Sequence, residues 1–378
     1  VTTELASRYL HEPIEADLAE KMVFLSGPRQ VGKTTLALQV VGVGDTRHAA
    51  YLSWDDPHGR PRIQRGELPA GQPRIILDEI HKYARWRNLV KGLWDTRAPG
   101  MGIIVTGSAR LDVYRRGGDS LHGRYHAYRL HPLSLPEVGG GREALDQLLR
   151  FGGFPEPFLR GSERHWRRWQ RERLDRIVRD DVRDLERVRE ISLIGLLVDA
   201  LPQRVGSPLS VKNLREDLQV AHDTAERWLT ILENLYVCFR IAPFGAPRIR
   251  AVKKSPKLYL WDWSAVEDEG ARFENLVASH LLKLCHFVED TQGHRMELRF
   301  LRDTDGREVD FVVLRDRRPV FAVEVKTGER AVSPAVRYFR ERTTIPRWYQ
   351  VHRGTKDVVV GGVRILPFAA LCAELDVP

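Results

Sequence analysis

Apolar positions along this chain follow two periods, and each period predicts a different kind of element. Unbroken apolar runs at Met22 to Ser26, Arg74 to Glu79 (RIILDE) and Gly102 to Thr106, each bounded by turn residues, predict buried strands, and Ala49 to Trp54 predicts a shorter one. Helical spacing alternates with them: Leu5 to Leu18 predicts a helix packed beside the first strand, and Thr34 to Val41 predicts a second. This alternation predicts an α/β unit with a parallel sheet, whose ligands sit at its carboxyl edge.

Further on the pattern changes. From His165 to Glu190 tryptophans and aliphatic residues fall at helical spacing among dense charges, which predicts an amphipathic helical lid. Its dense arginines could follow a nucleic-acid backbone; the other reading is a lid whose acids, Glu172, Asp175, Asp180, Asp181, Asp184 and Glu186, neutralise most of that charge. Gly206 to Pro208 breaks the chain. Val211, Leu214 and Leu218 then form one short helix face, and Ala225, Trp228, Leu229, Leu232 and Leu235 form another after a turn around Gln219 to His222. An apolar strand (Tyr236 to Ile241) and the basic stretch RIRAVKKSPKLYLWD follow, which is the order of a winged helix-turn-helix. In such a unit His222, Thr224 and Arg227 on the second helix would face a DNA groove, and Arg248, Arg250, Lys253 and Lys254 on the wing would meet phosphates. The same module also serves for contacts between proteins. Last, Arg272 to Leu284 predicts a helix with Phe273, Leu276, Val277 and Leu281 inward, and REVDFVVLRDRRPVFAVEVK predicts two strands around a five-residue turn, Arg315 to Pro319.

Composition sharpens this picture in three ways. The 378 residues are enough for several cores, since single cores stop growing near about 250 to 300 residues. Sixty Lys+Arg against 51 Asp+Glu leave a net charge of +9, an arginine-rich balance that suits a phosphate backbone without identifying one. Cys238, Cys285 and Cys372 lie far apart with no C-x-x-C pair, so neither a disulfide framework nor a zinc site is indicated. No apolar run approaches the roughly 18 residues of a membrane span, and the first residues carry no signal-peptide pattern; the expectation is a soluble, cytoplasmic protein without a membrane partner.

The strongest chemical signal is GPRQVGKTT, which matches G-x-x-x-x-G-K-[ST] between a strand end and a helix start. The loop formed by Gly27, Pro28, Arg29, Gln30, Val31, Gly32, Lys33, Thr34 and Thr35 is expected to cradle the phosphates of ATP on backbone N–H groups and the helix dipole. Lys33 is the point charge for the β- and γ-phosphates, and the Thr34 hydroxyl is placed for Mg²⁺. RIILDE supplies the partner acids: Asp78 for the metal, Glu79 to polarise the attacking water. Thr106 or Ser108, at the end of the next strand, could sense the γ-phosphate.

A second candidate site lies near the end. Across the predicted hairpin Asp310 stands opposite Glu324, and Lys326 falls two residues on, on the same face. Facing carboxylates in an apolar sheet repel unless a cation joins them, so a divalent metal on Asp310 and Glu324, completed by Glu274, with Lys326 orienting water, would suit phosphodiester hydrolysis. The other reading is a retained nuclease fold that binds DNA or another partner without cutting.

Taken in order, GPRQVGKTT, LDEIHK, TGSAR with SLHGR, HPLSLPE and GGFPE resemble the bacterial and archaeal AAA-superfamily ATPases that carry a C-terminal domain of unknown function with a restriction-nuclease-like core. The resemblance covers nearly the whole chain. It implies a homo-oligomer, as a ring, in which an arginine of one subunit reaches its neighbour's nucleotide; Arg124 is the first candidate and Arg110 the second. The expected organisation is an ATPase core over 1–135, a helical lid over 136–205, a winged helix over 206–262 and a nuclease-like domain over 263–378. Two functions fit: an ATPase that remodels or translocates DNA with a nuclease-like attachment, or a nucleotide-switched regulatory or assembly ATPase whose later domains bind proteins.

Overall fold

A computed structural model describes residues 8–107, 121–181, 191–245 and 255–378. Ser108, Arg110, Asp184, Glu186 and the four wing cations Arg248, Arg250, Lys253 and Lys254 therefore lie outside the described residues. The chain forms two compact units: residues 8–132 with Asn234–Tyr236, and Leu133–Glu233 with Val237–Pro378.

The first unit alternates helices and strands: α1 (His11–Asp17), β1 (Met22–Ser26), α2 (Lys33–Val41), β2 (Tyr51–Ser53), α3 (Gly59–Gln64), β3 (Arg74–Asp78), α4 (Trp86–Thr96), β4 (Gly102–Gly107) and β5 (Tyr125–Arg129). The strands form one parallel sheet in the order β2-β3-β4-β1-β5. Every residue of β1 and β4 is buried, as central strands covered on both faces must be, which is why they read as unbroken apolar runs. On one face Phe24, Leu77, Ile103 and Val105 pack with Trp86, Val90 and Leu93. On the other, α1 lies against β1 and α2 against β3 and β4. β5 was not legible as a strand, because at the sheet edge only Tyr128 of its five residues is buried and YHAYR carries no apolar run.

In the second unit α5 (Arg142–Phe151), α6 (Pro155–Arg160) and α7 (Glu163–Arg176) precede α8 (Ile191–Ala200), α9 (Val211–Leu218) and α10 (His222–Asn234). Trp169, Ile177 and Val178 of the charged region are buried, in line with its amphipathic pattern. The short pair α9 and α10 buries the apolar faces read from sequence, with the Ser210 hydroxyl accepting from Asn213 N–H at the start and Gln219 left-handed at the turn. His222 and Arg227 are exposed, whereas Thr224 is half-buried.

Next come β6 (Cys238–Pro243), β7 (Lys257–Leu260), α11 (Glu269–Gln292), β8 (Met296–Arg302), β9 (Glu308–Arg315), β10 (Arg318–Val325), α12 (Pro334–Arg340), β11 (Trp348–His352), β12 (Val358–Val360), β13 (Val363–Pro367) and α13 (Phe368–Glu374). All eight strands make one sheet, β12-β13-β11-β10-β9-β8-β6-β7. β6 is antiparallel to β7 and parallel to β8, so the strand pair behind the two short helices is continuous with the sheet of the last hundred residues.

Two expectations need correction here. The helix expected over Arg272 to Leu284 is longer, from the Asp268 cap, whose carboxylate accepts from Ala271 N–H at 2.8 Å, to left-handed Gly293; its solvent-facing last turns lack the apolar face that marks its middle. The hairpin turn is also tighter than the five residues expected. Arg315 pairs with Arg318 around Asp316 and Arg317, both at positive φ, the two-residue turn that matches strand twist. A bulge between Pro319 and Phe321 then restores the expected register, with Val313 opposite Phe321 and Phe311 opposite Val323. One step further along this register, Asp310 faces Glu324.

Candidate active site

At the carboxyl end of β1 the chain turns through a loop that needs its glycines. Gly27 has φ +152°, and a Cβ there would lie 2.4 Å from the Leu130 carbonyl oxygen. Gly32 is left-handed immediately before α2, which aims the first N–H groups of that helix into the loop. Buried Lys33 closes over the same space, its Nζ donating to the carbonyls of Gly27 at 2.9 Å and Pro28 at 2.8 Å.

Parallel pairing of β1, β4 and β3 brings the acids to this edge. Asp78, at the end of β3, is buried and accepts from three hydroxyls: Thr34 at 3.3 Å, and at shorter range Tyr51 and Thr106. Thr106 is thus a buried partner of Asp78. Glu79 leaves the strand in a left-handed conformation (φ 55°, ψ 21°) that costs a non-glycine residue roughly 1–2 kcal/mol and turns its side chain aside from the strand direction. Its N–H donates to Thr106 O, while its carboxylate lies 3.7 Å from Lys82 Nζ and 3.8 Å from His81 Nε2. Burial pushes the His81 pKa down and Glu79 partly opposes that.

Mg²⁺ and a nucleoside triphosphate fit this donor set. A hydroxyl and a buried carboxylate converge beside a glycine cradle with a lysine across it, which is the chemistry those groups require. Arg124 is placed elsewhere. Its carbonyl accepts from Met22 N–H at the amino end of β1, a strand's length (roughly 15 Å) from the loop, and its Nε is 3.1 Å from Asp95. It has no route to the phosphate loop of its own unit.

The C-terminal acids do come together, with a partner that was missed. Lys257, on β7 and with no exposed surface, directs its ammonium at Glu308 (2.5 Å), Glu274 (3.1 Å) and Asp310 (3.5 Å). Tyr259, on the same face of β7, donates to Glu274 at 2.7 Å. Val325 N–H donates to Asp310 at 2.8 Å, Arg302 takes the far oxygen of Glu308 at 2.7 Å, and Lys326 lies 2.6 Å from Glu324. Buried Glu324 keeps one oxygen without a hydrogen-bond partner.

The electrostatics reflect this crowding. Burial, then the charge of Asp310, raises the pKa of Glu274 to about 8 against the pull of Lys257, and the same two causes raise Glu324 to about 7 against Lys326. Burial alone would lower Lys257, but Asp310, Glu274 and Glu308 outweigh it and hold it well above the usual lysine range. The expected metal set of Glu274, Asp310 and Glu324 thus has a lysine ammonium in its midst. Among the described residues no three His, Cys, Asp or Glu side chains converge as metal ligands, because an ammonium stands among the carboxylates.

Sequence reasoning missed Tyr51, Lys257 and Glu308. Tyr51 carried no signal beyond a short strand. Lys257 was hidden in a basic stretch read as a wing, although K-L-Y-L puts it on one face with Tyr259 and ahead of a buried tryptophan.

Three family models match consecutive parts of the chain. Residues 19–139 match the AAA domain model, residues 142–267 a domain of unknown function (DUF8612), and residues 269–371 another domain of unknown function (DUF4143). An uncharacterized protein of Mycobacterium tuberculosis is 27% identical over 252 residues, 64% of this chain and 54% of the relative, so the chain spans about half the length of this relative. An uncharacterized protein of Methanocaldococcus jannaschii is 23% identical over 375 residues, 86% of this chain and 82% of the relative. Among solved structures, the Thermotoga maritima RuvB Holliday junction branch migration motor aligns with a TM-score of 0.30 at 16% identity, over 61% of this chain and 87% of that one. A signal transduction ATPase with a tetratricopeptide repeat sensor from Pyrococcus horikoshii aligns with a TM-score of 0.32 at 13% identity, over 76% and 48%. No described helix is long and apolar enough to cross a membrane. The segment 19–139, which matches the AAA domain model, contains both the phosphate loop and Asp78.

Proposed function

We propose that the chain is a Mg²⁺-dependent ATPase that works as a homo-oligomeric ring and couples ATP hydrolysis to remodelling or translocation of DNA. The observation that carries the ATPase part is the meeting of Thr34 and Asp78 at 3.3 Å, beside a loop closed by Lys33. Bound Mg²⁺ would supply charge neutralisation at the β- and γ-phosphates. Thr34 and Asp78 would hold it, Lys33 would exchange its loop carbonyls for phosphate oxygens, and Glu79 would turn from Lys82 and His81 to orient the attacking water. Arg124, remote from its own loop, serves the nucleotide of a neighbouring subunit.

The DNA part rests on the net charge of +9 and on the α9–α10 pair followed by β6 and β7, an order that supports the winged-helix reading, with exposed His222 and Arg227 on α10. In the last hundred residues the order α11-β8-β9-β10-α12-β11, antiparallel through β10 and parallel at β11, supports a restriction-nuclease-like core. We assign it a gripping role. The four-part organisation proposed from sequence is kept, with the amendment that β6 and β7 belong structurally to the last sheet.

The second reading is a nucleotide-switched regulatory or assembly ATPase, and Lys257 among the carboxylates fits binding without cutting under either reading. ATP turnover measured with single strands, duplexes and branched junctions separates the two: stimulation by one of these supports work on DNA, and turnover indifferent to all three supports the switch.

A further inference from the structure

We propose that Lys257 is the resident cation of the C-terminal carboxylate cluster and that it keeps divalent metal ions out of that site. The ammonium has three N–H donors and three carboxylates within reach, Glu308 and Asp310 on β9 and Glu274 on α11. The side chain has no exposed surface, and the Phe300 ring centroid lies 5.6 Å from Nζ, so water cannot take its place.

The carboxylates have little left to offer a metal. Asp310 is shared between Lys257 and the Val325 N–H, Glu308 between Lys257 and Arg302, and one oxygen of Glu274 takes both Lys257 and Tyr259. From the other side the backbone at Gly206, left-handed at φ +73°, packs so close that a Cβ there would lie 3.1 Å from Glu274. Among the described residues Glu324 keeps one buried oxygen without a partner and the second oxygen of Glu274 accepts no hydrogen bond, and two single oxygens from separate carboxylates do not complete a divalent site. A divalent ion would have to expel a buried ammonium and bring it, desolvated, against an apolar ring. Without a metal the cluster has no means of activating water for phosphodiester cleavage, which agrees with the gripping role proposed above.

Mn²⁺ titration of the nucleotide-free full chain, followed by electron paramagnetic resonance, tests this apart from the ATPase reading, because the phosphate-loop site needs nucleotide to hold its metal tightly. Wild type should show no Mn²⁺ site that Asp310→Asn removes. Lys257→Met, folded by circular dichroism, should gain one site in the micromolar range, lost again when combined with Asp310→Asn. An Asp310-dependent site in wild type overturns the proposal, as does a folded Lys257→Met that gains none. If Lys257→Met does not fold, the comparison of wild type with Asp310→Asn decides alone: a site that disappears refutes the resident cation, and identical titrations uphold it.

Discussion

The Tyr51 hydroxyl hydrogen-bonds the carboxylate of Asp78 across two neighbouring parallel strands, although the residue in register with Asp78 is Ser53. The phenol thus reaches back along the sheet to hold the acid that faces Thr34. Burial, followed by the Asp78 charge, pushes the phenol pKa up, so the group remains a donor at any working pH. Removing it with Tyr51→Phe leaves the ring and frees one Asp78 oxygen to rotate. Partners of this kind are worth about 10- to 100-fold in metal affinity or activity. The expected result is a Mg²⁺ requirement shifted upward by that factor with ATP affinity little changed, read from turnover against Mg²⁺ concentration.

Lys33 and Glu79 should separate binding from chemistry. Lys33→Ala removes the point charge over the cradle and should abolish ATP binding or turnover. Glu79→Gln keeps Asp78 and Thr34 and loses only the water-orienting carboxylate, so it should bind ATP normally while turnover falls by about 10²- to 10⁴-fold. Nucleotide binding by fluorescence and turnover by phosphate release check the split; undiminished turnover in Glu79→Gln removes that residue from the role.

Arg124 sits at the amino edge of its sheet, paired with Asp95, so the proposed contact with nucleotide would be made to a second copy's loop. Arg124→Ala should therefore lose about 10³-fold in turnover, the range of a transferred arginine, with binding retained. Mixing Arg124→Ala with Glu79→Gln subunits should restore part of the activity, since some junctions then hold both an intact arginine and an intact glutamate. Mixtures no better than their components rule the arrangement out.

The stability of the C-terminal unit should depend on pH in two opposed ways. Glu324, raised by burial and Asp310 to about 7, favours the protonated folded form, so its contribution is present below the ordinary carboxylate pKa of about 4.3 and is lost as pH rises through 7. Glu274 behaves alike up to about 8. His280 is lowered to about 3 by burial, despite its bond to the Leu276 carbonyl, so its contribution is present above about 6.5 and is lost as pH falls toward 3. Between about pH 4.3 and 6.5 His280 offsets one of the two carboxylates, and from there to pH 8 the carboxylates act alone. Thermal unfolding of wild type should drop by a few degrees across that upper interval, and Glu324→Gln should flatten part of the drop. A mutant curve parallel to wild type refutes the assignment.

How far the sequence foretold the molecule depended on how close together the interacting residues lie. The phosphate loop is one contiguous string, and its strand and helix flanks are fixed by apolar runs, so Lys33 and Thr34 could be read directly. Asp78 was legible because an acid at the end of a buried strand has few other uses beside such a loop. The Asp310–Glu324 opposition survived a wrong turn length, since side-chain alternation on both strands admits only registers that bury the same face, and the bulge at Pro319 to Phe321 supplied the missing step. Lys257 could not be found that way. It meets Glu274, Glu308 and Asp310 through β6, which pairs with β7 on one side and β8 on the other, and nothing local announces that pairing.

The continuity of β6 with β8 also bears on how this protein can be divided at the bench. A fragment opened at 263, where the motifs invite a cut, would lose the two strands that finish one side of the sheet and leave the backbone groups of β8 without their neighbour. It would discard Lys257 as well, so that Glu274, Glu308 and Asp310 would be left to repel one another or to scavenge any cation in the buffer. Such a truncated piece could bind manganese, aggregate through its bared strand, or both, and neither behaviour would belong to the intact chain.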